Sequence, residues 1–118
     1  MSLIRRKEDR QVVTKEGVRQ GPGHLTSLVG VEDPSEMWGK GHMVNDNVLE
    51  KECGVGYHVH EGDAEIYVML EGEAEYNDNG TVTTIKAGDI TFTGPGEGHS
   101  ITNHKDKPVR FMAIIVYA

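Results

Sequence analysis

The chain has a single cysteine, Cys53, so no disulfide bond can form within it. We interpret this residue as a small buried apolar side chain. No stretch approaches the ~18 consecutive apolar residues that span a membrane, which predicts a protein without a membrane segment. The charged residues at the N-terminus are not followed by an apolar run, so the sequence predicts no secretory signal and a cytoplasmic location.

Positive charge is scarce in this sequence. The chain contains 12 Lys and Arg against 19 Asp and Glu, for a net charge of −7. Because phosphate binding requires clustered basic side chains, this balance argues against nucleic acid as a partner. Basic residues do cluster between Arg5 and Arg10, but Glu8 and Asp9 interrupt them, and we interpret this segment as a solvated arm.

Lysine and arginine are missing altogether from positions 52–85. A sugar-phosphate or dicarboxylate site would need a positioned cation. Only flanking positions could supply one, such as Arg19, Lys40, Lys51, Lys86 and Arg110. The sequence therefore favours a small, weakly charged organic ligand.

Aromatic residues are few, at 6%, whereas glycine is frequent, with 15 residues in 118. This composition is typical of short strands joined by many turns, and the length predicts one domain. Residues 1–23 are predicted to form an N-terminal arm or an outer strand of that domain. A short apolar run follows at 24–29, and one helical turn is predicted at 34–37.

Strands separated by turn signals dominate the rest of the chain. Asn79-Gly80 is a strong hairpin signal between two of them. The predicted strands cover residues 45–51, 57–60, 65–70, 73–77, 81–86, 90–93, 100–103 and 109–117. Without sustained helical periodicity, the pattern predicts an all-β fold, an antiparallel sandwich or barrel.

The strand at 65–70 is apolar on both faces. Side chains alternate along a strand, so Glu65, Tyr67 and Met69 share one face, and the residues between them share the other. Both faces must therefore be shielded from solvent. One is predicted to line the interior, and the other implies an N-terminal flap or a partner subunit, which predicts a homodimer.

Three histidines and a glutamate form the most informative constellation in the sequence. His58 and His60 point to the same side of a strand, and the turn-like residues 61–64 allow Glu65 to open the next strand facing the same way. His99 follows the glycine-rich residues 94–98, which would return a distant strand to the same place. Such a set of nitrogen and oxygen ligands predicts a site for a divalent transition metal.

These residues resemble the two motifs of the cupin family. The first motif, Gly-x5-His-x-His-x3–4-Glu-x6-Gly, is matched by His58, His60, Glu65 and Gly72. The second, Gly-x5-Pro-x-Gly-x2-His-x3-Asn, is matched by Gly88, Gly96, His99 and Asn103. The pattern departs from the family at two turn positions, where Glu52 replaces the opening glycine and Gly94 replaces the proline.

The resemblance implies a small single-domain jelly-roll barrel that is usually dimeric and binds iron, manganese, nickel or zinc. It does not identify the reaction, because the fold carries many activities. We expect a metal-dependent enzyme of the oxygenase, isomerase or lyase type, with Glu65 as metal ligand and proton carrier. The alternative is a non-catalytic module that binds or senses a small molecule in a metal-centred pocket.

Two other residues are candidates for acid–base or contact roles. His42 precedes a predicted strand and is a candidate general base, although a packing or surface role is the simpler interpretation. Tyr67 is the best polar contact among side chains that either fill the interior or line an apolar substrate pocket. Phe92 and Ile101 are expected on the same interior face. Asn103 is interpreted as a turn or supporting residue.

Overall fold

A computed structural model describes residues 2–118, and it consists of two antiparallel sheets. The described strands are β1 (Val12–Glu16), β2 (His24–Val29), β3 (Gly41–Leu49), β4 (Cys53–Val59), β5 (Asp63–Glu71), β6 (Glu73–Asp78), β7 (Thr81–Lys86), β8 (Ile90–Thr93), β9 (Gly98–Asn103) and β10 (Val109–Tyr117). Single 3₁₀ turns occur at Lys7–Asp9, Val18–Gln20 and Pro34–Met37. None of the helical segments in this part of the chain has the length and apolarity to cross a membrane.

The six-stranded sheet has the order β1-β2-β3-β10-β5-β8, and the four-stranded sheet has the order β4-β9-β6-β7. The hydrophobic core lies between them, because buried side chains of both sheets belong to one cluster. The largest of these are Leu49, Tyr67 and Phe111 from the first sheet and Tyr76 and Ile101 from the second. The all-β prediction is confirmed.

The hairpin between β6 and β7 forms as the Asn-Gly signal predicts. Asp78 pairs with Thr81, so Asn79 and Gly80 are the two loop residues. Both have positive φ, 49° and 104°, which is the conformation that these residue types tolerate best. The Asn77 side chain accepts a hydrogen bond from the Gly80 amide and closes the turn.

Strand β4 begins at Cys53, four residues earlier than predicted, and includes two glycines, Gly54 and Gly56. They are sites of close backbone approach. A Cβ on Gly54 would lie 2.6 Å from the Ile101 carbonyl oxygen, and one on Gly56 would lie 2.0 Å from that of Arg19. Gly56 therefore lets the Val18–Gln20 turn pack directly on β4.

The N-terminal segment is attached to the sheet. Strand β1 pairs along its whole length with β2, from Val12 opposite Leu28 to Glu16 opposite His24. Interpreting the basic residues as solvated is wrong for Arg5, whose side chain is 16% exposed and bonds the Gly30 carbonyl and the Glu36 carboxylate. These acceptors lie 25 and 31 residues away in sequence, so no local pattern reveals them.

Strand β5 alternates as expected, with Glu65, Tyr67 and Met69 buried on the interior face. Ile101 is also fully buried. Phe92, however, is 69% exposed on the outer face of β8, so its predicted interior position is wrong. The strand is only four residues long, and its parity is set by pairing Thr93 with Glu65, which turns Thr93 inward.

Candidate metal centre and cavity

The four predicted ligands meet at one point between the sheets. His58 lies on β4 and pairs directly with His99 on β9, while His60 follows β4 and Glu65 lies on β5. One ligating atom from each of these residues lies within 4.8 Å of all the others. Three of the four residues are buried, and His58 is partly buried.

The ligand atoms are spaced as in a coordination sphere. His99 Nε2 lies 3.1 Å from His60 Nε2, 3.2 Å from His58 Nε2 and 3.0 Å from Glu65 Oε1. Glu65 Oε1 lies 3.1 Å from His60 Nε2 and 3.9 Å from His58 Nε2. Ligands at right angles on bonds of ~2.1 Å are ~3.0 Å apart, so a divalent transition metal fits this spacing.

The outer nitrogen of each imidazole is engaged elsewhere. His58 Nδ1 donates to the Gly56 carbonyl at 2.8 Å, and His60 Nδ1 donates to Asp63 Oδ1 at 2.8 Å. Carbonyl and carboxylate oxygens only accept, so both rings keep their proton on Nδ1 and turn the Nε2 lone pair toward the centre. His99 Nδ1 contacts the hydroxyls of Tyr76 and Thr93 at 2.9 and 3.0 Å.

The electrostatics of the cluster keep the carboxylate charged and His99 neutral. Burial acts to raise the pKa of Glu65, but its interactions with His58 and His99 and the nearby imidazole charges outweigh burial and lower the pKa to about 2. Burial lowers the pKa of His99, and the Glu65 carboxylate only partly opposes this. An anionic Glu65 oxygen beside the neutral His99 ring suits metal ligation.

A cavity of about 210 Å³ opens beside the cluster. The ligands His58, His60 and Glu65 are among its lining residues. The rest of the lining comes from β1, β2, β3, the Val18–Gln20 turn and single residues of β4, β5 and β10, and it includes Val13, Lys15, Arg19, Ser27, Asn45 and Asn47. The sequence pointed to Arg19 and His42 as candidates here but indicated no cavity role for Val13, Lys15, Ser27, Asn45 or Asn47. The one available signal was that Val13 and Lys15, like Asn45 and Asn47, are two residues apart on a strand.

Tyr67 lies where the sequence placed it, on the interior face beside the cluster. Its ring stacks on His99 with centroids 4.8 Å apart and an interplanar angle of 24°. Burial, followed by the charge of Glu65, raises the pKa of Tyr67 well above its ordinary value of 10.0. The hydroxyl therefore stays protonated at neutral pH, which suits a hydrogen-bond donor and not a base.

His42 does not line the cavity. Its Nε2 lies 3.8 Å from Asp63 Oδ2, and its ring lies 5.5 Å from the ring of Tyr117. Asp63 also accepts a hydrogen bond from His60, one of the four candidate metal ligands. His42 therefore contacts the residue that orients His60 and does not reach the cavity. Asn103 is remote as well, since its side chain bonds the Leu49 and Lys107 carbonyls and the Lys105 amide.

The scarcity of cations near the motif does not extend to the folded cavity. The sequence argument named Arg19 among the flanking positions that could supply a cation, and Arg19 does line the cavity, together with Lys15. Folding brings these residues, which are distant from the motif in sequence, to the same cavity.

Comparison with known proteins identifies the family. The Cupin domain model matches residues 47–115, which contain all four clustered side chains, and the chain belongs to the cupin family. An oxalate-binding protein of Thermotoga maritima is 50% identical over 99 residues, which cover 84% of this chain and 81% of that protein.

Solved structures agree on the fold. The crystal structure of a predicted oxalate decarboxylase from Thermotoga maritima is similar at a TM-score of 0.91 and 33% identity, covering 98% of this chain and all of the other. An RmlC-like cupin from Shewanella frigidimarina has a TM-score of 0.74 at 16% identity, covering 100% of this chain and 93% of that one. The second similarity concerns the fold alone.

Proposed function

We propose that this protein binds a divalent transition metal through His58, His60, Glu65 and His99 and holds a small carboxylate, oxalate being the first candidate, in the adjoining cavity. The observation that carries this proposal is the convergence of four ligand atoms beside the cavity, which His58, His60 and Glu65 line. The 50% identical oxalate-binding relative supports the choice of oxalate. Iron, manganese, nickel and zinc all suit the donor set.

Different residues would bind the metal and contact the ligand. A metal ion held by His58, His60, Glu65 and His99 would supply positive charge for a carboxylate oxygen of the ligand. His58 and His60 are held with Nε2 inward by their Nδ1 hydrogen bonds, so little rearrangement is needed on metal binding. Tyr67 offers a protonated hydroxyl at the cavity wall, and the apolar side chains of Val13 and Val18 restrict the space for water.

The second candidate is an enzyme that cleaves oxalate. Of the chemistries predicted from the sequence, the lyase type is supported by the likeness to a predicted oxalate decarboxylase. Decarboxylation breaks the carbon–carbon bond of oxalate, releases carbon dioxide and adds one proton to give formate. Glu65 is the acidic side chain that lines the cavity and is the candidate proton carrier. His42 could act only through Asp63.

Metal content and ligand titration test the proposal together. Protein purified without a chelating column is expected to contain a stoichiometric transition metal by elemental analysis. Calorimetric titration is expected to show oxalate binding to the metal-loaded protein and none to the protein stripped by chelation. Oxalate affinity that does not depend on metal would refute the arrangement. Release of formate and carbon dioxide from oxalate would select the enzyme over the binding module.

Broader expectations from the sequence remain proposals. These are a single domain over residues 1–118, closure of the two sheets into the family's jelly-roll barrel, and a cytoplasmic location. The core shared by both sheets and the TM-score of 0.91 support the first two.

A homodimer through the outer face of the six-stranded sheet is a further proposal. Phe92, Ile66, Ile114 and Val44 stand opposite one another across four adjacent strands and form a continuous apolar row. Light scattering is expected to give the mass of a dimer. Phe92→Glu should shift it toward monomer, whereas Val82→Glu, an exposed apolar site on the other sheet, should not.

A further inference from the structure

A side-chain hydrogen-bond donor without a partner in the described part of the protein lines the cavity. Asn47 on β3 is 4% exposed and stands opposite Ser27 on β2, which is 9% exposed. Ser27 Oγ donates to Asn47 Oδ1 at 2.6 Å and so orients the amide. Nδ2 of Asn47 forms no hydrogen bond to any residue between 2 and 118, although the side chain lines the cavity. This nitrogen is not enclosed by the protein, so it is available to an acceptor bound in the cavity.

Two exposed cationic residues also line the cavity. Lys15 on β1 and Arg19 on the Val18–Gln20 turn both line it, and neither forms a salt bridge within the described residues. Arg5 and Arg110, by contrast, are paired with carboxylates. In a chain of net charge −7, two unpaired cations at one cavity would concentrate anions there.

Tertiary contacts hold Arg19 in place. Its backbone has a φ of 52°, a left-handed conformation that is uncommon outside glycine. The turn packs on β4 at Gly56, where any Cβ would lie 2.0 Å from the Arg19 carbonyl oxygen. Gly56 is two residues before His58, so the same stretch of β4 positions a metal ligand and the base of Arg19.

We propose that Arg19, Lys15 and Asn47 form a recognition wall that binds a carboxylate group of the ligand and selects dianionic over monoanionic acids. This inference rests on the proposed function, which places the ligand in this cavity. The guanidinium and ammonium groups donate only, and the free amide nitrogen of Asn47 donates as well, so the wall complements a group that only accepts. A carboxylate with its charge is such a group.

The test compares three acids on the manganese-loaded protein by calorimetry: oxalate and malonate as dianions and acetate as a monoanion. Arg19→Gln is expected to weaken binding of the dianion by ~10-fold or more and binding of acetate much less. Arg6→Gln is the matched control, because it removes the same charge from an exposed residue that does not line the cavity. It should leave all affinities unchanged.

A second variant addresses the buried amide. Asn47→Asp keeps the shape and the oxygen that accepts from Ser27, but it replaces the free donor with negative charge. We expect metal content close to wild type, a lower melting temperature because the new carboxylate is largely buried, and a larger loss of dianion than of acetate binding. Dianion selectivity that survives in both Arg19→Gln and Asn47→Asp would overturn the recognition wall.

The outcomes separate this inference from the proposed function. Wild-type oxalate binding that neither variant changes would refute the wall and leave the oxalate proposal standing. Binding of malonate but not oxalate, with dependence on Arg19, would refute oxalate as the ligand and support the wall. Failure of the wild type to bind any of the three acids would overturn both.

Discussion

The two sides of the cavity differ in how their polar atoms are satisfied. On the metal side, the outer nitrogen of His60 is bonded to Asp63 and that of His58 to Gly56, so their lone pairs converge without a protein donor between them. In the proposed recognition wall, Asn47 has a side-chain donor without a partner among residues 2–118, and Arg19 contributes a charge that is unpaired within these residues to the cavity lining. The ligand cluster is complementary to a cation, and the recognition wall would be complementary to an anion. A metal carboxylate complex would satisfy both.

The largest effect is expected from breaking the metal side. His99→Ala removes the ring that contacts the other three ligand atoms, so metal affinity should fall by ~100-fold or more. Carboxylate binding should be lost together with the metal, even though the recognition wall is unchanged. Metal titration followed by oxalate calorimetry measures both effects. His104→Ala, an exposed histidine outside the cluster, is the control and should bind metal normally.

Glu65→Gln separates charge from ligation on the metal side. The amide keeps an oxygen at the site but removes the negative charge and the ability to carry a proton. Three histidines should still hold the metal, more weakly. If the protein is an oxalate-cleaving enzyme, turnover at saturating metal should fall by ~100-fold or more while oxalate affinity changes far less. Unchanged turnover would remove Glu65 from the mechanism.

Asp63→Ala removes the hydrogen-bond acceptor that orients His60 but leaves His60 itself in place. His60 would lose the acceptor of its Nδ1 proton, so metal affinity should fall by ~10-fold. Asp63→Asn, which can still offer an oxygen, should lose less. Asp106→Ala removes an exposed carboxylate from a surface salt bridge and should have no effect. Equal affinities for all three variants would show that the hydrogen bond to His60 is unimportant.

The metal-free protein should lose stability in mild acid. Burial lowers the pKa of His99 below the value it has in the unfolded chain, so between these two values the unfolded chain binds more protons. Stability therefore falls as pH drops through 6.5 toward the folded pKa. Thermal unfolding after chelation should show a melting temperature a few degrees lower at pH 5.5 than at pH 7.5. The difference should shrink in His99→Gln, and an undiminished difference would assign it to other groups.

The smallest effect is expected from a substitution beside Asn47 in the recognition wall. Ser27→Ala removes the hydrogen bond that orients Asn47 and should lower the free energy of unfolding by about 1 kcal/mol. Metal affinity should stay at the wild-type value, because Ser27 does not contact the ligand cluster. Denaturant unfolding and metal titration test the two statements. A large loss of metal would show that the two sides of the cavity are not independent.

Strand prediction succeeded where alternation and turn residues were regular and failed where long-range packing decided. The hairpin at Asn79-Gly80 and the interior face of β5 follow from local rules. The start of β4 does not, since Gly54 and Gly56 are required by backbones from distant segments. The sequence also did not predict which side chains of β8 face inward, because a strand of four residues is too short for alternation to distinguish its two faces.

The sequence by itself determined the all-β class, the family and the four residues of the candidate metal centre. It could do so because strand periodicity and motif spacing are local properties, and three of the four ligands lie within eight positions. Only the tertiary structure brought Lys15, Arg19 and Asn47 to the same cavity, on β1, the adjoining turn and β3. Their proximity depends on the pairing of β1 with β2 and β2 with β3 and on the contact at Gly56, which are long-range contacts that no local pattern encodes.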